Sequence, residues 1–173
     1  MLLILEGSEC CFKSTVAEKL HNKLGYKVTQ GSHFKFATNG NSELYKRMIS
    51  FAEMDNVILD RFIYSNLVYA SLKKDYSILT PEQVQNIENM IRDKAIIVYL
   101  HAPSDVLVQR LEERGDEYIK SDELKGINEV YEQVMNNVVG MHLFSYDTSE
   151  YDSDYIANDI EYVVRYLNKG NII

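Results

Sequence analysis

Short, continuous apolar runs alternate along the chain with longer segments in which apolar residues recur every three or four positions. The apolar runs span residues 1–5, 26–29, 56–59, 95–100 and 141–146. Such runs, rich in Val, Ile, Leu and Tyr, are typical of strands covered on both faces. The helical spacing covers residues 14–24, 43–53, 64–73, 81–92, 105–114, 123–137 and 154–167. This alternation predicts an α/β fold with helices on both faces of a parallel sheet.

Composition narrows the class of protein. The chain has 173 residues, 46% of them hydrophobic and 25% charged, as expected for one globular domain spanning residues 1–173. Its 18 Lys and Arg against 26 Asp and Glu give a net charge of −8, which argues against general nucleic-acid binding. No apolar run approaches the roughly 20 residues of a membrane span, so we expect a cytoplasmic protein without a membrane partner.

Candidate chemistry begins in the loop between the first strand and the first helix. Gly7, Lys13 and Ser14 match the phosphate-loop pattern Gly-x4-Gly-Lys-Ser/Thr, in which backbone amides and a helix N-terminus surround an anion. Phe12 occupies the position of the second glycine, where a Cβ is disfavoured if the backbone needs a positive φ. The alternative is a strand–loop–helix junction with a solvated lysine. The candidate ATP-binding residues are Gly7, Cys10, Cys11, Phe12, Lys13, Ser14 and Thr15.

A second candidate site lies at the end of the third strand, where Asp60 precedes Arg61. Beside a phosphate loop, the Asp60 carboxylate and the Ser14 hydroxyl are suited to Mg²⁺, and the Arg61 guanidinium is suited to a phosphate. The alternative is an Asp–Arg pair that caps the next helix.

Three blocks of the sequence resemble the thymidylate kinase family, within the P-loop nucleoside and nucleotide kinases. Residues 6–9 resemble the family's Glu-Gly-x-Asp, and residues 60–69 resemble its Asp-Arg-Tyr/Phe…Ser-x-x-Ala-Tyr stretch. Residues 99–115 are similar to its fourth strand, following helix and arginine-bearing lid. The resemblance implies the P-loop kinase fold, with three layers, a five-stranded parallel sheet in the order 2-3-1-4-5 and a small lid at residues 114–122.

The resemblance also implies roles for individual residues, with ATP and Mg²⁺ as cofactors. The catalytic cations would be Lys13, Arg61, Arg110 and Arg114, of which Arg110 and Arg114 would close over the transferring phosphoryl group. For these two, the alternative is an exposed helix face paired with Glu113 or Glu117. Acceptor-binding residues would include Glu9, Arg61 and Tyr69.

The segment after the second strand departs from the family, because it lacks the arginine that binds the monophosphate. His33 or Lys35 could replace this arginine, and Phe34 or Phe36 could stack on a base. The alternative for the two phenylalanines is a short strand that faces the core.

The charged residues near the predicted site help to distinguish a nucleoside acceptor from a monophosphate acceptor. A nucleoside kinase must deprotonate a neutral 5′-hydroxyl, yet residues 27–40 contain no Asp or Glu. A monophosphate kinase needs cations, and Lys35, Lys46, Arg47 and Arg61 are available. We therefore expect ATP-dependent phosphoryl transfer to a thymidylate-like (deoxy)nucleoside monophosphate. The alternatives are a deoxynucleoside kinase, with Glu6 or Glu9 as base, and a catalytically inactive nucleotide-binding protein.

The expected partners are small nucleotides. The predicted helix at residues 64–72 carries more apolar surface than one core-facing stripe needs, which favours a homodimer. The alternative is burial of this helix beneath residues 81–92.

Overall fold

The computed structural model describes residues 1–31, 38, 40–115, 119–168 and 170. These residues form five strands and seven helices. The strands are β1 (Leu2–Glu6), β2 (Lys27–Gln30), β3 (Val57–Asp60), β4 (Ala95–His101) and β5 (His142–Asp147). The helices are α1 (Lys13–Leu24), α2 (Asn41–Ala52), α3 (Ile63–Leu72), α4 (Pro81–Ile91), α5 (Ser104–Arg114), α6 (Ser121–Asn136) and α7 (Ser153–Asn168).

The five strands form one parallel sheet in the order β2-β3-β1-β4-β5, which confirms the predicted order. Alternate residues of β1 serve opposite faces. Leu3 and Leu5 belong to a core completed by α1, α5 and α7, whereas Leu2 and Ile4 belong to a core completed by α2, α3, α4 and α6. Each fully buried Leu or Ile contributes about 1.5–3 kcal/mol. The three-layer architecture therefore follows from a central strand that is apolar on both faces.

Sequence patterning predicted every described strand to within one residue and every described helix to within two. The expectation that all strands are covered on both faces is wrong for β2, where Lys27, Val28 and Gln30 are exposed. The reason is that β2 lies at the edge of the sheet and pairs only with β3. Among the described helices, none has the length and apolar character required to cross a membrane.

Two glycines bring the strand ends together at the carboxyl edge of the sheet. A Cβ on Gly7, whose φ is 141°, would lie 2.1 Å from the carbonyl oxygen of Leu100 at the end of β4. A Cβ on Gly31 would lie 2.1 Å from the carbonyl oxygen of Arg61. Backbone approaches this close require glycine. Arg61 also donates to the carbonyl of Gly7 at 2.9 Å, so the loops after β1, β2 and β3 meet where ligands bind in open parallel sheets.

Candidate active site

A cavity of about 700 Å³ opens at this edge, within the size range of small-ligand sites. Its lining residues are Glu9, Cys10, Cys11, Phe12, Lys13, Ser14, Thr15, Asp60, Arg61, Arg110, Glu113 and Arg114. Most of the predicted site residues are thus brought together from three parts of the chain. His33, Lys35 and Phe36, and residues 116–118 of the predicted lid, lie outside the described residues.

The loop after β1 turns through two left-handed residues, Cys10 with φ 61° and Phe12 with φ 58°. Helix α1 then begins, with the amide of Val16 donating to the carbonyl of Phe12 at 2.9 Å. The first amides of a helix have no partner within it and face an anion favourably. Lys13 is buried and its ammonium donates to the carbonyl of Ser8, so its side chain lies along the loop. Burial, followed by the charge of Arg61, lowers the pKa of Lys13.

The side chain of Phe12 packs against Arg110. The ring is 39% exposed, and the guanidinium carbon of Arg110 lies 4.1 Å from its centroid. Arg110 also donates to the hydroxyl of Thr148 at 2.9 Å, to the carbonyl of Thr148 at 2.7 Å and to the carbonyl of Cys10 at 3.2 Å. The alternative of an exposed pair with Glu113 is therefore wrong for Arg110, since Glu113 accepts instead from Gln109. Arg114 is exposed at the end of α5, at the rim of the cavity.

Glu9 and Arg61 form a partly buried ion pair, with 2.9 Å between Glu9 Oε1 and Arg61 Nη2. The Tyr69 hydroxyl donates to the same oxygen at 2.6 Å, and the Arg61 guanidinium lies 5.1 Å from the centroid of the Tyr69 ring. Glu9 Oε2 is buried and has no hydrogen-bond partner among the described residues. Burial raises the pKa of Glu9, but the charges of Arg61 and Lys13 outweigh it, and the net shift is downward. Glu9 is therefore an ionised carboxylate with one unused oxygen.

The residues predicted for Mg²⁺ offer suitable oxygen ligands. Asp60 Oδ1 is buried without a hydrogen-bond partner in the described part of the chain, and Ser14 is exposed at the start of α1. No group of three or more His, Cys, Asp or Glu side chains gathers as a metal site within the described ranges. A carboxylate and a hydroxyl fit a Mg²⁺ ion held mainly by nucleotide phosphates.

Glu6 holds the start of α3 in place. Its Oε1 accepts from the amides of Phe62 at 2.9 Å and Ser65 at 3.3 Å, and its Oε2 accepts from the Ser65 hydroxyl. The alternative that Asp60 and Arg61 pair to cap this helix is therefore wrong, because Arg61 pairs with Glu9 and Glu6 supplies the cap. Glu6 is fully buried, and burial raises its pKa. It does not line the cavity, so the suggestion that Glu6 is a catalytic base lacks support in this geometry.

Ser65 and Tyr131 make contacts at the site to which the sequence analysis assigned no role. Tyr131, on α6, accepts a hydrogen bond from Arg61 Nη1 at 2.7 Å, and its hydroxyl lies 2.7 Å from that of Ser65. Ser65 was recognised only as part of the stretch at residues 60–69, and the sequence around Tyr131 does not show what its hydroxyl contacts. Only the packing of α3 against α6 brings them to the ion pair.

The chain is similar in sequence and in structure to a protein of Bacillus subtilis. The uncharacterized protein YorR, derived from the SPbeta prophage of Bacillus subtilis (strain 168), is 52% identical over 163 residues, which cover 94% of this chain and 98% of YorR. The crystal structure of YorR in complex with phosphorylated GDP matches with a TM-score of 0.94 at 49% identity, covering 99% of this chain and 100% of that one.

Two more distant structures share the fold. Deoxyadenosine kinase from M. mycoides, with bound dCTP, has a TM-score of 0.56 at 20% identity, covering 98% of this chain and 100% of that one. Shikimate kinase from Acinetobacter baumannii, in complex with shikimate, has a TM-score of 0.57 at 14% identity, covering 99% and 95%. Both neighbours are kinases, and their likeness supports the P-loop kinase fold implied by the sequence.

The family profile described as deoxynucleoside kinase matches residues 32–170. This is most of the chain, including α2 to α7 and the Asp60–Arg61 strand end. The specific resemblance to thymidylate kinases is not shown by this match, whereas the broader assignment to nucleotide-dependent phosphotransferases is. The chain belongs to the deoxynucleoside kinase family.

Proposed function

We propose that this protein transfers the terminal phosphoryl group of a nucleoside triphosphate to the 5′-hydroxyl of a deoxynucleoside, with Glu9 facing that hydroxyl. The family supplies the reaction class. The observation that carries the choice of acceptor is the unused, buried Oε2 of Glu9 in the cavity.

A buried carboxylate oxygen without a hydrogen-bond donor is unfavourable by about 1–3 kcal/mol, or more when charged. A ligand hydroxyl satisfies Glu9, whereas the charged oxygens of a phosphate repel it. Arg61 and Tyr69 fix the other oxygen, so the carboxylate is oriented before the ligand arrives. Glu9 is thus suited to accept the proton of an attacking hydroxyl, the role of the aspartate in kinase catalytic loops.

Three of the cations expected to bind an acceptor monophosphate lie in the described part of the chain, and these are poorly arranged for it. Lys46 and Arg47 are exposed on α2 and do not line the cavity. Arg61 does line it, but Glu9 already neutralises its charge. These contacts support a deoxynucleoside acceptor over the monophosphate that the sequence favoured.

The donor side of the site is assigned to the loop of residues 7–15. Its amides and Lys13 would bind the phosphates of ATP, and Ser14 and Asp60 would hold Mg²⁺, which neutralises the charge between the outer phosphates when bound. Arg114 is the last residue of α5 and is followed by Gly115. From the lining of the cavity, Arg114 would approach the transferring group and exclude water. The YorR complex with phosphorylated GDP supports a purine nucleotide in this cavity.

A monophosphate acceptor is the second candidate, because Arg61 and Arg114 both line the cavity and Glu9 could bind a 3′-hydroxyl instead. A homodimer through α3 is also proposed: Leu72 at its end is 42% exposed, although α3 buries Ile63, Tyr64 and Val68 within the chain.

Steady-state assays with ATP or GTP, Mg²⁺ and matched panels of deoxynucleosides and their monophosphates test the proposal. We expect turnover of at least one deoxynucleoside, and a loss of roughly 10²-fold or more in kcat for Glu9→Gln. Glu113→Gln is the matched control, since Glu113 lines the same cavity but its carboxylate contacts Gln109. Turnover of monophosphates alone would overturn the choice of acceptor. Nucleotide binding without any turnover would support the inactive alternative.

A further inference from the structure

A series of buried hydrogen bonds lies behind the Glu9–Arg61 pair. It runs from Arg61 through the hydroxyls of Tyr131 and Ser65 to the carboxylate of Glu6. Tyr131, Ser65 and Glu6 are each 0% exposed, and none of them lines the cavity. These hydrogen bonds therefore connect the site to helices α3 and α6, and the three residues do not contact a ligand in the cavity.

The direction of these hydrogen bonds follows from the groups involved. A guanidinium can only donate, so the Tyr131 oxygen accepts from Arg61 and its single proton is left for Ser65. The Ser65 hydroxyl then donates to Glu6, which also accepts from two amides at the start of α3. Each proton has one acceptor, and a fully satisfied buried network of this kind holds its members in one arrangement.

We propose that Tyr131 is a positioning residue, which fixes Arg61, and through it the Glu9 carboxylate, by linking them to the buried Ser65–Glu6 pair. This inference rests on the proposed role of Glu9. Arg61 needs such support because its φ of 69° is a left-handed value that a residue with a side chain adopts at a cost. Its other contacts, the carbonyl of Gly7 at 2.9 Å and the face of Tyr69, leave Tyr131 as the contact that comes from α6.

Helix α6 begins at Ser121, within the last two residues of the predicted lid at residues 114–122. A displacement of α6 would therefore move Tyr131 and loosen Arg61. The Tyr131 hydroxyl thus links the position of this helix to the orientation of the acceptor-side carboxylate.

The chain provides a matched control for deleting that hydroxyl. Tyr99 stacks on Tyr131 with 6.5 Å between ring centroids, and its own hydroxyl is buried without a hydrogen-bond partner among the described residues. Tyr131→Phe and Tyr99→Phe thus remove the same atom from neighbouring rings. Only the first change breaks the chain of hydrogen bonds, and the second should be neutral or stabilising.

The first test is crystallographic and needs no substrate. In Tyr131→Phe we expect the distance from Arg61 Nη2 to Glu9 Oε1 to exceed hydrogen-bond range, or the Arg61 side chain to occupy more than one conformer. In Tyr99→Phe the pair should keep its 2.9 Å. An unmoved Arg61 in Tyr131→Phe would overturn the proposal whatever the protein phosphorylates. If Tyr131→Phe does not fold, Ser65→Ala removes the same support one step further from Arg61, and an unmoved Arg61 there has the same meaning.

The second test measures kinetics with whichever acceptor the wild type uses, so a wrong choice of acceptor and a wrong role for Tyr131 give different results. We expect Tyr131→Phe to lower kcat by roughly 10- to 100-fold with little change in KM for ATP. Tyr99→Phe should change neither. Adding Tyr131→Phe to an Arg61→Ala variant should lower kcat little further, because Tyr131 acts through Arg61. Independent, additive losses would contradict this role.

Discussion

Substitutions at Phe12 test the backbone conformation of the phosphate loop, because Phe12 has a left-handed φ of 58°. Replacing Phe12 by alanine removes the ring and keeps a Cβ at φ 58°. Replacing it by glycine removes both. The lost contact with Arg110 is common to the two variants, so the difference in their stability reports the backbone alone.

The expected difference follows from two opposing effects. A residue with a Cβ in the left-handed region costs roughly 1–2 kcal/mol. Glycine loses about 0.5–1 kcal/mol more than alanine through the entropy of the unfolded chain. The midpoints of these two ranges leave Phe12→Gly more stable than Phe12→Ala by about 0.75 kcal/mol. At about 2–4 °C per kcal/mol for a chain of this size, the melting midpoints should differ by roughly 1.5–3 °C.

Thermal unfolding followed by circular dichroism measures this difference, with Glu18 as an internal control. Glu18 is exposed within α1, where glycine is less favourable than alanine by about 1 kcal/mol. The Glu18→Gly and Glu18→Ala pair should therefore show the opposite order. If Phe12→Ala proves as stable as Phe12→Gly while the Glu18 pair behaves as expected, the loop does not hold position 12 in the left-handed region, and the reasoning fails.

Two further predictions concern the same loop. Lys13→Ala should lower turnover by at least ~10²-fold, the usual effect of removing one preorganised electrostatic contact, and an unchanged rate in the steady-state assay would exclude Lys13 from the mechanism. Gly7→Ala should lower the free energy of unfolding by at least about 2 kcal/mol, because its Cβ would lie 2.1 Å from a backbone oxygen. Gly126→Ala, in α6 with open space around it, should instead be neutral or stabilising in the same denaturant titration, and an equal loss in both would contradict the close approach of Gly7.

The order of elements and the sheet topology followed from the sequence because burial on both faces leaves a simple signal. Residues such as Ile4 and Val98 lie in runs that only a covered strand tolerates. The prediction that β2 is covered on both faces failed because this strand lies at the edge of the sheet. An edge strand needs little burial, and no local property of Val28 distinguishes it from a residue of a central strand.

The candidate site was predictable where chemistry is local in sequence. Lys13, Ser14, Asp60 and Arg61 stand in short motifs, and the structure gathers them around one cavity. The environment of each side chain was not predictable. The pairing of Glu9 with Arg61, on which the proposed acceptor rests, joins residues 52 positions apart.

Other contacts between parts of the chain that are distant in sequence were also missed. Arg110 was expected over the transferring phosphoryl group, yet its hydrogen bonds go to Thr148 and to the carbonyl of Cys10. The link from Arg61 to Tyr131 spans 70 positions and depends on how α6 packs against α3. Such contacts are set by tertiary packing, which a motif does not encode.

The proposed function requires that Glu9 faces the hydroxyl that attacks the donor phosphate held by the loop of residues 7–15. This arrangement can be tested by a crystal structure with a non-hydrolysable ATP analogue and a deoxynucleoside that the enzyme accepts. We expect triphosphate oxygens at the loop amides and the 5′-hydroxyl within about 2.6–3.2 Å of Glu9. A triphosphate bound elsewhere, or a 5′-hydroxyl remote from Glu9 with the 3′-hydroxyl in its place, would contradict it.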